Sequence, residues 1–144
     1  MEIIIVLIVI GIATGIAGIY IGKGGGSLEV KTFTKDLSAV LRSARNHAVT
    51  EKKIYCFVID EDEQKYRLYA ESTDYKNVDL VIDKFIPEGL EIVLQDNDSD
   101  SSVIEFFPRG NSTGGVLEIS NEKGTTYFIS INMITGKLEV EKAE

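Results

Sequence analysis

The sequence predicts an α+β fold, in which a long N-terminal helix packs against an antiparallel sheet, or two small sheets, of about eight short strands. Three observations carry this prediction. Residues 3–21 form an apolar run without a charge, the next segment repeats apolar residues at the helical period, and from Lys53 onward strand-like runs alternate with turns. The 144 residues leave room for one globular domain. We expect a transmembrane helix at 1–22, a glycine-rich bend at 23–31 and an α+β domain at 32–144.

The apolar run predicts a single-pass membrane anchor. As a helix, its 19 residues span about 28 Å at a rise of roughly 1.5 Å per residue, close to the hydrocarbon thickness of a bilayer. A helix of a soluble core would show a polar face, which this segment lacks. A secretory signal peptide is the competing interpretation, but no basic segment precedes the run, and the run is longer than a typical signal core. We therefore expect it to stay on the protein.

The segment after this run combines a glycine cluster with an amphipathic helix. GKGGGS at 22–27 predicts a bend or a local melting of the helix. A second helical stretch is predicted to begin at Thr32, with Thr32 or Thr34 as its N-cap. Its apolar residues fall on one stripe, which must pack against the rest of the chain. The stripe consists of Phe33, Leu37, Val40, Leu41, Ala44 and Ala48.

The remainder of the chain has the pattern of short β-strands. Residues that favour turns, chiefly Gly, Asn, Asp, Ser and Pro, separate the apolar runs. The first two runs flank the charged segment DEDEQK, which predicts a hairpin. The predicted strands are Ile54–Ile59, Tyr66–Ala70, Val78–Ile86, Leu90–Leu94, Val103–Phe107, Val116–Ser120, Thr126–Asn132 and Leu138–Val140.

Charge and composition argue against two classes of function. The formal net charge is −8, and residues 22–144 hold 15 basic and 22 acidic residues, which leaves this part at −7. Such a surface repels polyanions, because nucleic-acid affinity comes largely from Lys and Arg side chains that release counterions. An enzyme is not expected either, since the sequence lacks paired carboxylates in an apolar context, a glycine-rich phosphate loop and a metal motif. We expect no catalytic residue and no cofactor.

Cys56 and His47 each occur once and do not predict a site. A single cysteine allows no intrachain disulfide, and Cys56 in the apolar run KKIYCFVID is predicted to be a buried structural thiol. His47 lies on the predicted helix without ligand partners at zinc spacing. The two residues together do not resemble a catalytic dyad.

One acidic loop is a weak candidate for calcium binding. Asp96, Asp98 and Asp100 alternate in the way that oxygen ligands alternate in calcium loops. The sixth position of the loop is not Gly and the twelfth is not Glu, so a solvated hairpin tip is the alternative interpretation.

The N-terminal run carries two features that favour assembly of helices in lipid. Glu2 places a carboxylate directly ahead of the span, where a charge is costly unless it finds a partner; a flanking charge at the membrane surface is the alternative. Gly11 and Gly15 form a small-xxx-small pair, repeated at Gly18 and Gly22, which allows two helices to approach closely. Ordinary glycine enrichment of membrane helices is the alternative here.

These N-terminal residues resemble the hydrophobic stretch of the class III signal of type IV pilins and pseudopilins. Glu2 falls on the glutamate of that motif, and Ile3–Ile12 fall on its aliphatic run. The resemblance implies cleavage by a prepilin peptidase, methylation of the new amine, and pairing of the glutamate with the amine of a neighbouring subunit. The sequence departs from the motif at Met1, which stands before Glu2 in place of the family's phenylalanine, cleavage glycine and basic leader.

Three further segments resemble the GspH/FimT group of minor subunits. The helix and the strand after it are similar to the group's L-x-x-x-L-R-x-A-R-x-x-A pattern. Residues 107–115, FPRGNSTGG, and residues 135–140, TGKLEV, resemble its phenylalanine–glycine turn and its closing threonine–glycine strand. The matching helix residues are Leu37, Leu41, Arg42, Ala44, Arg45 and Ala48.

The resemblance implies a pilin-like structural subunit: a minor pseudopilin of a type II secretion pseudopilus, or a minor pilin of a type IV pilus, at or near the tip. Its span would lie in the inner membrane and then in the filament core, with the β domain in the periplasm. Expected partners are other minor and major pilins or pseudopilins, the inner membrane, the prepilin peptidase and secreted cargo. A DNA-binding minor pilin of natural transformation is the alternative that the resemblance to some FimT members implies. The bases Arg42, Arg45, Lys52 and Lys53 would form its basic patch, and an ordinary solvated helix face is the competing interpretation of these residues.

Overall fold

The computed structural model describes residues 2–71, 78–95 and 102–144, and for residues 2 and 7–25 it describes the helix backbone alone. A long helix, α1 (Glu2–Glu51), is followed by strands. The strands are β1 (Ile54–Asp60), β2 (Lys65–Glu71), β3 (Val78–Phe85), β4 (Leu90–Gln95), β5 (Val103–Phe106), β6 (Gly115–Asn121), β7 (Thr126–Ile131) and β8 (Leu138–Lys142).

The strands form two antiparallel sheets of four. Sheet A has the order β3-β2-β1-β5, and sheet B has the order β4-β6-β7-β8. In the predicted hairpin, β1 and β2 pair from Ile54 opposite Glu71 to Asp60 opposite Lys65. The predicted fold, a long N-terminal helix on antiparallel sheets with eight strands, is confirmed.

The C-terminal half of α1 lies against both sheets and forms the core with them. Five members of the predicted stripe are buried, and Val40 is half-buried beside them. Leu37 and Leu41 are fully buried, and each such side chain contributes about 1.5–3 kcal/mol by leaving water. The largest fully buried side chains of the sheets are Phe57, Ile104, Phe106, Leu117, Ile119 and Ile129.

α1 is continuous, so the predicted second helix start at Thr32 or Thr34 is wrong. Thr34 is buried in mid-helix, and its hydroxyl donates to the carbonyl of Val30 at 2.7 Å, which satisfies the hydroxyl within the helix. The glycine cluster at 22–27 does not melt the helix either. A glycine costs only about 1 kcal/mol in a helix, and the Asn121 side-chain amide fixes this segment by donating to the carbonyl of Gly26 at 3.1 Å.

α1 ends where the backbone turns into the left-handed region. Lys52 has a φ of 57°, the conformation that commonly follows the last residue of a helix. The chain then enters β1, which places the start of sheet A at the C-terminal end of α1.

In the part of the chain that the structure describes, no helix is both long enough and apolar enough to cross a membrane. The predicted span at 3–21 falls largely on residues whose side chains lie outside the described part. The span, and the division of the chain at residues 22 and 31, stay predictions.

Candidate assembly interface

The residues that the sequence proposes for assembly and for metal binding are for the most part not described. Glu2, Gly11 and Gly15 lie on α1, but their side chains and surroundings fall outside the described residues. The calcium candidates Asp96, Asp98 and Asp100 lie in the undescribed segment 96–101. Among the described residues, no group of three or more His, Cys, Asp or Glu side chains could hold a metal ion. These candidates stay predictions.

The structure brings together the three motifs of the C-terminal domain at one side chain, Arg45. Its Nε–H is shared between the carbonyl of Gly110, at 3.2 Å, and the carbonyl of Thr135, at 2.9 Å. Arg45 belongs to the helix motif, whereas Gly110 and Thr135 belong to the two turn motifs. Because a charged donor makes a stronger hydrogen bond than a neutral one, Arg45 fastens both turns to the C-terminal part of α1.

The close approach of these turns requires glycine. Gly110 and Gly136 have φ values of 88° and 64°, which other residues adopt at a cost. A Cβ atom at Gly136 would lie 2.2 Å from the carbonyl oxygen of Gly110 and 2.9 Å from Nε of Arg45. The glycine therefore leaves the space in which Arg45 reaches the two carbonyls.

We call the contact of Arg45 with the two turns the junction. Ser112 and Asn132 complete it, although no feature of the sequence motifs singles them out. The buried Ser112 hydroxyl donates to the carbonyl of Asn132 at 3.0 Å and accepts from the amide of Gly114 at 3.0 Å. Oδ1 of Asn132 accepts from the amides of Ile134 and Thr135 at 2.9 and 3.0 Å. Asn three residues before a Thr-Gly pair is a turn signal that could have identified this capping role.

The junction presents two apolar side chains to solvent. We call loops 107–111 and 132–137 together the crown. At its tip, Met133 is 64% and Ile134 is 83% exposed. The second crown loop is held to Ser112, the residue directly after the first crown loop. The amide of Ser112 donates to the carbonyl of Met133 at 3.0 Å. This apolar pair lies on the surface and is not part of the core.

A second apolar surface lies near the middle of α1. A hollow of about 480 Å³, which we call the foot groove, opens between α1 and the loop before β4. Its lining combines apolar side chains with two carboxylates, and it consists of Leu28, Glu29, Thr32, Phe33, Asp36 and Pro87. Leu28 is exposed on its rim.

A third apolar surface is β3, at the edge of sheet A. All but one of its residues are exposed. Val78, Leu80 and Phe85 lie opposite outward-facing residues of β2, so they point away from α1. Val81 is also exposed, near the register shift between β2 and β3. The edge strands of the two sheets are β3, β5, β4 and β8. Like β8, β3 carries charges, at Asp79, Asp83 and Lys84, but it has four exposed large apolar side chains, against one on β4, one on β8 and none on β5.

Cys56 is half-buried, so the prediction of a buried structural thiol is only partly right. In β1 the buried side chains are those of Tyr55, Phe57 and Ile59, and Cys56 points to the opposite face of sheet A. Its Sγ lies 3.9 Å from Oε1 of Glu105. Burial, together with the negative charge of Glu105, raises the pKa of the thiol to about 11.

His47 does not meet Cys56. Its exposed ring stacks on Tyr55 with a centroid distance of 5.9 Å, and Nδ1 lies 3.1 Å from a carboxylate oxygen of Glu51. Since side chains alternate across a strand, the ring beside Tyr55 and the thiol of Cys56 belong to different faces of β1. The expectation that these two residues form no dyad agrees with their positions.

The chain is similar to proteins of known fold. Residues 34–135 match the family model described as type II transport protein GspH. The minor pseudopilin EpsH from the type 2 secretion system of Vibrio cholerae has a TM-score of 0.67 and 15% identity, and the match covers 79% of this chain and 97% of EpsH. The type IV minor pilin FimU of Pseudomonas aeruginosa has a TM-score of 0.62 and 17% identity, with coverage of 78% and 88%. No curated protein matches the sequence.

The junction at Arg45 predicts that Gly136→Ala lowers the free energy of unfolding more than the same replacement at a glycine where a methyl group has room. Gly124 is the matched control, because its φ is 85° and nothing lies within 4 Å of the position that a Cβ atom would take. Gly124→Ala should cost about 1–2 kcal/mol for the left-handed backbone. Gly136→Ala should cost about 3–5 kcal/mol, because it also breaks the hydrogen bonds of Arg45. Urea unfolding measures both; equal losses would contradict the role of the junction.

The raised pKa of Cys56 predicts slow alkylation at neutral pH. Thiolate is the reactive form, so at pH 8 a thiol with a pKa of about 11 should react about 100-fold more slowly than one with a pKa near 9. The rate should rise steadily from pH 8 to pH 11. Iodoacetamide kinetics on the folded chain test this, with the urea-unfolded chain as the control. Equal rates for the two states at pH 8 would show that the fold does not protect the thiol.

Proposed function

The chain belongs to the family of type II transport protein GspH, and from this premise we propose that it is a minor subunit of a type II secretion pseudopilus or of a type IV pilus. The family is one of structural pseudopilins and not of enzymes. Its members are anchored in a membrane and incorporated in a pilus-like filament, which implies assembly with other pilins.

The observation that carries the proposal is the exposed edge of β3. An edge strand offers a row of free backbone donors and acceptors to another strand. The exposed Val78, Leu80 and Phe85 add apolar area on the outward face, and burying such area contributes about 25 cal/mol per Å². A neighbouring subunit that adds a strand here would use both.

The finer parts of the proposal follow the N-terminal sequence. Residues 3–21 anchor the subunit in the inner membrane as a single span, and the β domain lies in the periplasm. In the filament, the span moves into the core, where Glu2 pairs with a neighbour's amine and Gly11 and Gly15 allow close helix contacts. A position at or near the tip, contact with secreted cargo, and processing and methylation by the prepilin peptidase belong to the same proposal.

The alternative, a DNA-binding minor pilin, has less support. Of the four bases that motivate it, Arg45 is engaged with the carbonyls of Gly110 and Thr135, which leaves Arg42, Lys52 and Lys53. A net charge of −8 opposes contact with a polyanion. We therefore favour contact with protein partners.

The test replaces an apolar residue of the β3 edge with a charge. Leu80→Asp should abolish co-purification with pilin-like partners and reduce secretion or piliation at least about tenfold in a strain that lacks the native copy, because a charge at a buried strand contact costs several kcal/mol. Val93→Asp is the matched control, since Val93 is an exposed apolar residue that points away from the core on β4, an edge strand of sheet B.

Both variants should keep the melting temperature of the native chain, because both positions are exposed. Full activity of Leu80→Asp would show that the β3 edge is not an assembly contact. Two results together would contradict the proposed function itself. Deletion of the chain would leave secretion and piliation unchanged, and the native chain would co-purify with no pilin-like partner from the membrane.

A further inference from the structure

Three bases line a small hollow beside the C-terminal part of α1. The hollow has a volume of about 270 Å³, and we call it the basic hollow. The side chains of Arg42 and Lys137 are exposed there, so a ligand reaches them from solvent. The volume lies just below the range of about 300–1,000 Å³ that holds drug-sized ligands, and it suits a single side chain. The lining consists of Arg42, Arg45, Asn46, Gly136, Lys137 and Leu138.

In the part of the chain that the structure describes, no carboxylate neutralises these bases. The ion pairs of this part involve other basic residues, and none involves Arg42, Arg45 or Lys137. On α1, the positions three and four residues to either side of each arginine hold no Asp or Glu, so the helix supplies no pair. Glu139 lies opposite Ser130, on the face of sheet B that points away from α1.

The helix dipole does not account for the two arginines. Cations favour the last turn of a helix, and the effect falls off within that turn. α1 ends at Glu51 and has no basic residue in its last turn. Arg42 and Arg45 instead stand three positions apart, where like charges repel each other and destabilise a helix. An anion that binds between them and Lys137 relieves this repulsion and stabilises the chain.

Arg45 keeps donors for an anion while it holds the junction. Only its Nε–H is shared between the carbonyls of Gly110 and Thr135. Its terminal nitrogens make no hydrogen bond with a described residue. A guanidinium carries five N–H donors in a fixed fork that matches a carboxylate. Because the junction fixes the guanidinium, these donors are oriented before a ligand arrives.

The surroundings favour a carboxylate of a protein over a phosphate. Met133 and Ile134 stand exposed on the same loop as Lys137, and apolar side chains of this kind contribute to a contact with a protein. The net charge of −8 opposes an extended polyanion such as DNA, whereas a single carboxylate needs only the bases of the basic hollow.

The height of the basic hollow excludes two further occupants, and this step rests on the proposed function. The 24 positions from Ile21, the end of the predicted span, to Arg45 correspond to about 36 Å at roughly 1.5 Å per residue. Lipid headgroups therefore lie beyond the roughly 8–10 Å over which charges interact in salt. Copies of this chain that share the span hold their basic hollows at one height, where like charges face each other.

We propose that the basic hollow binds an Asp or Glu side chain of a different pilin-like subunit. The carboxylate accepts from the terminal N–H groups of Arg45 and faces Arg42 and Lys137, and apolar residues beside it in the partner pack on Met133 and Ile134. The family implies assembly with other pilins, which is why a second kind of subunit is the occupant. The inference deepens the proposed function by naming the chemistry of a partner.

Peptide titration of the full-length chain in detergent micelles tests the site. The probe is a short blocked peptide in which Asp and Leu alternate, and the same peptide with Asn in place of Asp is its control. The Nε–H signals of Arg42 and Arg45 and the amide signal of Gly136, followed by NMR, should shift saturably with the acidic peptide. The Asn peptide should bind at least about tenfold more weakly, because it makes no charge-assisted pair.

Two charge variants separate the basic hollow from the net charge. Arg42→Glu should weaken binding of the acidic peptide at least about tenfold, because a carboxylate then faces a carboxylate. Lys35→Glu is the matched control, since it changes the net charge equally at an exposed base of the same helix, outside the basic hollow. It should leave the affinity within about twofold, because salt screens a distant exposed charge.

A suppressor screen in cells tests the identity of the partner. Arg42→Glu with Lys137→Glu should reduce secretion or piliation at least about tenfold, because the pair repels the partner's carboxylate. Replacement of an Asp or Glu by Lys in another pilin-like subunit should restore the activity. Restoration only by changes in a secreted protein would overturn a filament subunit as the occupant.

The outcomes separate this inference from the proposed function. Equal binding of the acidic and the Asn peptide, or tighter binding of inorganic phosphate or duplex DNA at the same signals, would overturn the carboxylate site while assembly through β3 still stands. Binding of the acidic peptide by a chain whose deletion leaves secretion and piliation unchanged would support the site and contradict the proposed function.

Discussion

The hydrogen bonds of Arg45 to the carbonyls of Gly110 and Thr135 are the interaction on which the arrangement of loops 107–111 and 132–137 depends. The two loops come from different positions in the chain, and their apolar residues Met133 and Ile134 stay exposed. One guanidinium on a helix that packs into the core joins the loops through an N–H shared between the two carbonyls, and a charge-assisted hydrogen bond contributes about 1.5–3 kcal/mol. The fixed loops expose Met133 and Ile134.

The overall plan was predictable because the hydrophobic pattern specifies it. The helical spacing of Phe33, Leu37 and Leu41 predicts the face that is buried, and the alternation in Ile54–Ile59 predicts a strand with one inward face. The motif resemblance identified Arg45, Gly110 and Gly136 but not their contact, because the two glycines lie 65 and 91 positions after Arg45 and meet it only through tertiary packing. The helix start was wrong at Thr34, since a threonine that caps a helix and one that bonds back to the fourth preceding carbonyl look alike in sequence.

The surfaces proposed for assembly were harder to predict than the core. In the sequence, Leu80 and Phe85 read as ordinary strand residues, and only the strand order of sheet A shows that they lie at an edge. Cys56 likewise differs from its neighbours only in the face on which it lies. Burial of a residue type is a statistical preference, whereas exposure at an edge follows from topology.

Hydrogen–deuterium exchange of the crown tests most directly whether Arg45 holds both loops. In the native chain, the amide of Gly136 donates to the carbonyl of Asn132 at 2.8 Å and should be protected. Arg45→Ala should speed its exchange about tenfold to a hundredfold, as the loss of a charged hydrogen bond predicts, while amides of β6 keep their rates. Arg42→Ala, which replaces an exposed arginine on the same helix, should leave both unchanged. Unchanged protection of Gly136 in Arg45→Ala would contradict the role given to Arg45.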